Sequence, residues 1–222
     1  MDDGWLAIVG AMTEPIFPRV VLFDLLTALL DSWTLWNAVA GSEANGRAWR
    51  AEYLRLTYGC DAYVPYEQLV REAARATGLP DGAAGRLEGR WLELSAWSGA
   101  QEVLDALRGR TKLAVVTNCS ARLGMLAARR LETRWDCIVT AEEAGYYKPN
   151  PRPYRLALER LGVPAREAAF VAGSGYDLLG TSAVGLRTYW HNRVGLTRPD
   201  RAPPADLEWP TFDRLIPWLE GR

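Results

Sequence analysis

Apolar residues fall along this chain in two patterns, short unbroken runs and longer stretches at helical spacing. Val20 to Phe23 form an unbroken run that Asp24 closes at once. A run without alternation suits a strand buried on both faces of a parallel sheet, so a first strand is predicted over Val20 to Asp24. From Trp33 to about Leu94 only helical periodicity is found. Tyr66, Leu69, Val70, Ala73, Ala74 and Thr77 follow i, i+3, i+4, i+7, i+8, i+11 spacing, and Gly78-Leu79-Pro80 closes that helix. Ala48 to Tyr58 reads as an earlier helix, with Arg50, Leu54 and Thr57 near one face, and Gly82 to Leu94 as a later one. After Trp97 helices and strands alternate. Helices are predicted over Ala100 to Arg108, Arg122 to Leu131, Asn150-Pro151 to Leu161 and Asp177 to Val184. Strands are predicted over Lys112 to Thr117, Cys137 to Thr140, Ala168 to Ala172 and Arg187 to Trp190. Pro199, Pro203 and Pro204 mark an irregular tail before a short helix near Phe212 to Leu219, and Met1 to Pro18 reads as a loose leader or short surface helix.

This order predicts an α/β fold: a doubly wound parallel sheet, a Rossmann-like core, with an inserted all-helical cap subdomain. The expected division is core over 1-32 and 95-222 and cap over 33-94. A length of 222 residues suits one large domain or a core carrying a smaller insertion. The formal net charge of −1, evenly spread, gives no basic patch for nucleic acid. Cys60, Cys119 and Cys137 are widely spaced without a CxxC, which reads as reduced thiols and neither a disulfide framework nor a zinc site. The first residues include Asp2 and Asp3, lack a basic region and are broken by Pro15 and Pro18. Neither a signal peptide nor a membrane span is expected there, and a cytoplasmic protein is the default.

Two counts bear on chemistry. His191 is the one histidine, so a His-based triad would have to be built on it alone. Of 26 basic residues only Lys112 and Lys148 are lysines, so a retained lysine reads either as chance or as a place where a compact ammonium is needed. Polar groups fall at or just after strand ends in four places: Asp24, Thr117-Asn118, Lys148, and Ser174 through Asp177. In a parallel sheet those ends share one edge and can converge on one crevice. A carboxylate, a hydroxyl, an ammonium and a second carboxylate suit a carboxylate nucleophile acting on an anionic substrate.

With these residues in view the sequence resembles the haloacid dehalogenase superfamily. FDLLTALLDS is similar to its first motif, F-D-x-D-G-T-L; VVTN with Thr117 to the second; YYKPNPRPY with Lys148 to the third; FVAGSGYD with Asp177 to the fourth. The four occur in order over roughly Val20 to Arg193. Within the superfamily the chain resembles the L-2-haloacid dehalogenase branch. AWRAEYLRLTY puts Arg50 at that branch's halide-cradling arginine, KPNPRPY keeps its Lys-Pro-x-x-x-x-Tyr spacing with Tyr154 as counterpart, and TYWHNR is similar to its C-W-I-N-R.

Departures from the phosphatase pattern point the same way. The acid two residues after the nucleophile is Leu26, and in Ala172-Gly173-Ser174-Gly175-Tyr176-Asp177 the first acid of G-D-x-x-x-D is absent. Magnesium needs several oxygen ligands, so Asp24 and Asp177 alone make a poor site, and no cofactor or metal is expected. The resemblance implies attack of Asp24 on C2 of a 2-substituted carboxylic acid, an aspartyl ester, and its hydrolysis. Lys148 would hold Asp24 ionised, an effect typically worth ~1–3 pKa units at ~4–6 Å. Thr117 and the backbone near Asn118 would bind the substrate carboxylate, Arg50 and Asn118 would take the halide, and Asp177 would fix Lys148 and help activate water. Leu26, Leu54, Tyr66 and Tyr176 would line an apolar pocket, with Tyr154 and Ser174 as further substrate contacts. The family threonine four residues after the nucleophile is Ala28 here, with Thr27 beside it, and the branch's fourth-motif serine and asparagine are Ala172 and Ser174. The alternatives are a phosphatase with a reduced magnesium site and a catalytically silent relative that binds a small acid. His191, the tryptophans and Cys119 are expected to serve packing. The expected partner is a small carboxylic acid, with no nucleic acid and no membrane, and a homodimer is left open.

Overall fold

The computed structural model describes residues 17–222, so the reading of Met1 to Pro18 lies outside the described residues except for Phe17 and Pro18. Six parallel strands form one sheet in the order β3-β2-β1-β4-β5-β6. They are β1 (Val20–Phe23), β2 (Lys112–Thr117), β3 (Cys137–Thr140), β4 (Ala168–Ala172), β5 (Arg187–His191) and β6 (Leu207–Trp209). β1 lies between β2 and β4, with Phe23 opposite Val115 on one side and Val171 on the other. Strand order therefore reverses at β1 and β4, where an open sheet leaves a crevice beyond its strand ends.

The unbroken apolar runs are explained by this layering. Val20 and Leu22 face a layer that includes Tyr154, Leu158 and Leu178, while Val21 and Phe23 face one that includes Val103, Leu104 and Leu215. Both faces of β1 are thus covered, and all four of its residues are fully buried. The first layer comes from α8 (Pro151–Leu161) and α9 (Asp177–Val184), the second from α5 (Ala100–Leu107) and α10 (Leu215–Leu219). Asn150 caps α8 by accepting from Arg152 N, and Pro151 opens it, as the sequence indicates. Lys112 donates to Leu161 O at 3.1 Å, so one of the two lysines neutralises the C-terminal end of α8.

Between β1 and β2 the chain forms α1 (Ser32–Ala40), α2 (Glu43–Tyr58), α3 (Tyr66–Ala76) and α4 (Ala83–Gly89) and no strand. This is the helical cap. The helix read over Gly82 to Leu94 is two pieces: α4 ends at Gly89, and a 3₁₀ turn, Trp91–Glu93, follows Arg90. The break turns Trp91 into the interior, where its indole donates to Leu123 O at 2.9 Å. The helix read over Arg122 to Leu131 is α6, which spans Ala121–Ala128 and stops earlier; α7 (Ala141–Ala144) is a single added turn. The tail read as irregular contains β6, paired parallel to β5 at Tyr189↔Leu207 and His191↔Trp209. Among the described residues no helix is long and apolar enough to cross a membrane.

Candidate active site

Asp24 follows β1, and its backbone N still donates to Val171 O at 2.9 Å, so the sheet fixes where its side chain starts. The chain then makes one π-helical turn, Leu25–Leu29, closed by Leu30 N donating to Leu25 O at 2.9 Å. Asp24 caps that turn. Its Oδ2 accepts from Thr27 N at 2.9 Å, Ala28 N at 3.0 Å and Thr27 Oγ1 at 2.6 Å. Thr27 thus supplies the hydroxyl beside the carboxylate, although the family threonine aligns with Ala28. Gly173, at the end of β4, permits this packing. A Cβ there would lie closer than 3.0 Å to Ala28 N, Thr27 Oγ1 and the Thr27 carbonyl carbon.

Lys148 joins the first and fourth motifs. Its Nζ lies 2.8 Å from Asp24 Oδ1 and 2.9 Å from Asp177 Oδ1, and all three side chains are over nine-tenths buried. Its backbone is set by Asn118: Lys148 N donates to Asn118 Oδ1 at 2.7 Å, and Asn118 Nδ2 donates to Lys148 O at 2.9 Å. The side chain of Asn118 is therefore largely spent on Lys148, which leaves one amide hydrogen for a ligand. Tyr154, expected at the substrate, sits behind the crevice instead. It is fully buried and donates to Asp177 Oδ1 at 2.8 Å.

Two carboxylates sharing one ammonium do not titrate alike. Burial alone would raise the Asp24 pKa, but the charge and hydrogen bond of Lys148, with those of Thr27, outweigh it and hold Asp24 below the usual range. Burial raises Asp177, and the nearby Asp24 charge adds to it against Lys148, so Asp177 lies above the usual range. Burial works against the Lys148 ammonium, yet Asp177 and Asp24 together raise its pKa above normal. The shared ammonium thus favours the ionised form of Asp24 more than that of Asp177.

The cap closes over these groups. Arg50 on α2 is 7% exposed, its guanidinium 4.3 Å from the ring of Trp33 and 4.9 Å from that of Trp36. Arg50 donates to Ser32 Oγ at 2.6 Å, no carboxylate pairs with it among the described residues, and its Nε is buried without a partner. Burial lowers its pKa, but a guanidinium keeps its proton. Thr117 Oγ1 is likewise buried without a partner. Tyr53 Oη donates to Asn118 O at 3.3 Å, and Tyr58 stacks on Tyr176 with ring centroids 4.3 Å apart.

The cavity between cap and core measures about 190 Å³. It brings together Asp24, Thr117, Asn118, Lys148, Asp177, Arg50, Leu26, Leu54, Tyr66, Ser174 and Tyr176, all the expected site residues save Tyr154. Sequence reasoning missed Trp33, Trp36, Tyr53 and Tyr58, together with Leu196 and Thr197 from the loop after β5, and named Thr27 only as the neighbour of the family position. Thr27 carried a signal, a hydroxyl one residue from the family position. The cap aromatics carried none that separates pocket wall from core, and Trp36 serves as both. A hollow of about 260 Å³ between α3 and α4 holds no buried unpaired polar side-chain atom.

A magnesium site does not fit these residues. Position 173 has no room for a carboxylate, Asp24 and Asp177 are both engaged by Lys148, and no cluster of three or more His, Cys, Asp or Glu side chains suited to a metal occurs among the described residues.

Residues 21–191 match the family model described as haloacid dehalogenase-like hydrolase. The chain is 32% identical to (S)-2-haloacid dehalogenase 4A of Burkholderia cepacia, over 90% of this chain and 94% of that protein. It is 26% identical to haloacetate dehalogenase H-2 of Moraxella sp. (strain B), over 89% and 96% respectively. Among solved structures, a dehalogenase with an intermediate complex is 29% identical and covers 92% of this chain and 98% of its own, with a TM-score of 0.81.

Proposed function

This chain belongs to the haloacid dehalogenase-like hydrolase family, and from that premise we propose that it hydrolyses the carbon–halogen bond of small 2-haloacids without a metal, using Asp24 as nucleophile. One observation carries this reading: a carboxylate held on both oxygens, with its pKa lowered, shares a cavity with a buried guanidinium that has no acid partner among the described residues. A guanidinium so placed is a ready receptor for a departing anion.

Thr117 Oγ1 and the remaining amide hydrogen of Asn118 bind the substrate carboxylate. An oxygen of Asp24 attacks C2 from the side opposite the halogen; the carbon–halogen bond breaks, and the halide leaves with the bonding pair towards Arg50. Attack at carbon with halide as leaving group needs neither a proton nor a metal, in keeping with Leu26 and Gly173. Water then adds to Cγ of the ester, the C2 oxygen departs and takes one of the water protons, and the second proton is released. The products are the inverted 2-hydroxy acid, halide and free Asp24. Asp177 holds Lys148 against Asp24 and offers a carboxylate on that side of the cavity to accept the released proton. The apolar wall of Leu26, Leu54 and Tyr66 keeps Asp24 poorly solvated and so reactive.

The division into core, 1-32 and 95-222, and cap, 33-94, is supported by the two crossing chains. They run side by side at Leu30 and Ala96, with Asp31 N donating to Ser95 O at 2.8 Å. The relatives' names suggest (S)-2-haloacids or haloacetate as substrates. The test is a paired assay of halide release from (S)-2-chloropropionate and from chloroacetate beside p-nitrophenyl phosphate hydrolysis, each with EDTA or magnesium. Halide release that EDTA leaves intact is expected. Magnesium-dependent phosphate release without halide would overturn the reading.

A further inference from the structure

The turn after Asp24 is held from behind by side chains from three separate places in the chain. A π-helical turn of five residues cannot satisfy its own last carbonyls, which must find other donors. Leu26 O accepts from Ser32 Oγ at 2.5 Å, Thr27 O from Trp97 Nε1 at 3.0 Å, and Ala28 O is 2.8 Å from His191 Nδ1. A carbonyl only accepts, so Nδ1 carries the proton of that imidazole. These three donors do more than fill orphan carbonyls, because of which peptide planes they hold. Leu26 C=O and Thr27 N–H share one rigid plane, and Thr27 C=O and Ala28 N–H share the next. In a trans peptide the carbonyl and the N–H point to opposite sides. Fixing the first two carbonyls therefore aims the two N–H groups that grip Asp24 Oδ2. Ser32 Oγ also accepts from Arg50 at 2.6 Å, which joins cap and nucleophile turn in one chain of hydrogen bonds.

We propose that Ser32, Trp97 and His191 are positioning residues that lock three successive peptide planes behind Asp24, and that Ser32 links this lock to Arg50. The proposal rests on the reading of Asp24 as nucleophile for its kinetic consequence, but not for its structural one. Trp97→Phe keeps an aromatic ring and removes the donor to Thr27 O. Ser32→Ala releases both Leu26 O and Arg50, and Ser32→Thr keeps the hydroxyl.

The variants are compared with the wild type by steady-state halide release and by infrared titration of the Asp24 carboxylate, assigned by difference against Asp24→Asn. Trp97→Phe is expected to lower kcat about tenfold with KM changed less than about twofold, since the nucleophile is misaimed and the pocket is not. Ser32→Ala is expected to lower kcat and raise KM together, and Ser32→Thr to restore most of both. The Asp24 titration should move upward in Trp97→Phe and Ser32→Ala as oriented N–H donors are lost. A Trp97→Phe enzyme that melts earlier but keeps wild-type kcat and an unmoved Asp24 titration would overturn the proposal. A wild-type protein that releases no halide would sink the dehalogenase reading alone, because the titration still decides whether the lock acts on Asp24.

Discussion

Gly173→Ala adds one methyl group where the site can least absorb it. The new Cβ would fall within 3.0 Å of Ala28 N, Thr27 Oγ1 and the Thr27 carbonyl carbon. Ordinary carbon contacts lie near ~3.5–4.0 Å, so β4 and the turn must separate by about 1 Å. Two of the three atoms are backbone of the turn whose amides hold Asp24 Oδ2, and that turn is also held by its carbonyls. It therefore cannot yield cheaply. Overpacking of this kind costs about 1–3 kcal/mol, which in a chain of this length lowers Tm by about 2–12 °C. A displacement of about 1 Å at a reacting group can cost about 10²-fold in rate, so the catalytic loss should exceed the loss in stability. The measurements are Tm by calorimetry and kcat for halide release from (S)-2-chloropropionate. A variant with wild-type kcat and Tm would refute the claim that this close approach positions the nucleophile. Gly173→Asp, which restores a phosphatase-like acid in the sequence, should likewise lose halide release and gain no magnesium-dependent phosphatase activity.

Lys148→Met should abolish halide release and destabilise the fold by about 3–5 kcal/mol, because it leaves two buried carboxylates without their shared ammonium; a single-turnover assay and urea melts check both. Arg50→Met should cost at least about 10²-fold in kcat/KM, since the leaving anion then has no buried cation to meet; equal activity on the bromo and chloro substrates at wild-type rate would contradict it. The pH dependence of stability should differ in sign between the two carboxylates. Asp24 has a depressed pKa, so its stabilisation is present above the unfolded value and is lost as pH falls through the folded one. Asp177 has a raised pKa, so its contribution is present below the unfolded value and is lost as pH rises through the folded one. At neutral pH Asp24→Asn should therefore lower Tm, the difference shrinking towards acid; a Tm difference independent of pH would contradict the assignment.

The parts of this molecule that follow a single rule were legible in the sequence. β1, β4 and β2 beyond Lys112 are apolar runs because both faces of the sheet are covered there, and Asn150-Pro151 announces α8 through its own side-chain chemistry. β6 was not legible. Three residues, Leu207-Glu208-Trp209, lie partly exposed on the edge and owe their strand to pairing with β5 alone. The division at Arg90 was hidden because Trp91 continues the helical spacing while the backbone turns to bury it. The convergence of Asp24, Lys148 and Asp177 could be foreseen from strand ends and motif order. The π-helical turn could not, since LLTAL reads as the start of an ordinary helix. That turn is also why Thr27, and not the aligned Ala28, offers its hydroxyl to Asp24. Tyr154 kept its family spacing, yet spacing does not tell a ligand contact from a residue one layer behind it.

The scarcity of lysine has a practical side. Lys148 is sealed in the crevice, so Lys112 is the exposed lysine, at the opposite end of β2 from Thr117. Over a strand of six residues that separation is about 17 Å. Amine-reactive resins and dyes that couple to lysine would thus attach the protein by the rim remote from its crevice, with the cavity mouth turned towards the solution. Arginine, which carries nearly all the remaining positive charge, is untouched by such reagents. Molecules held through Lys112 should share that orientation.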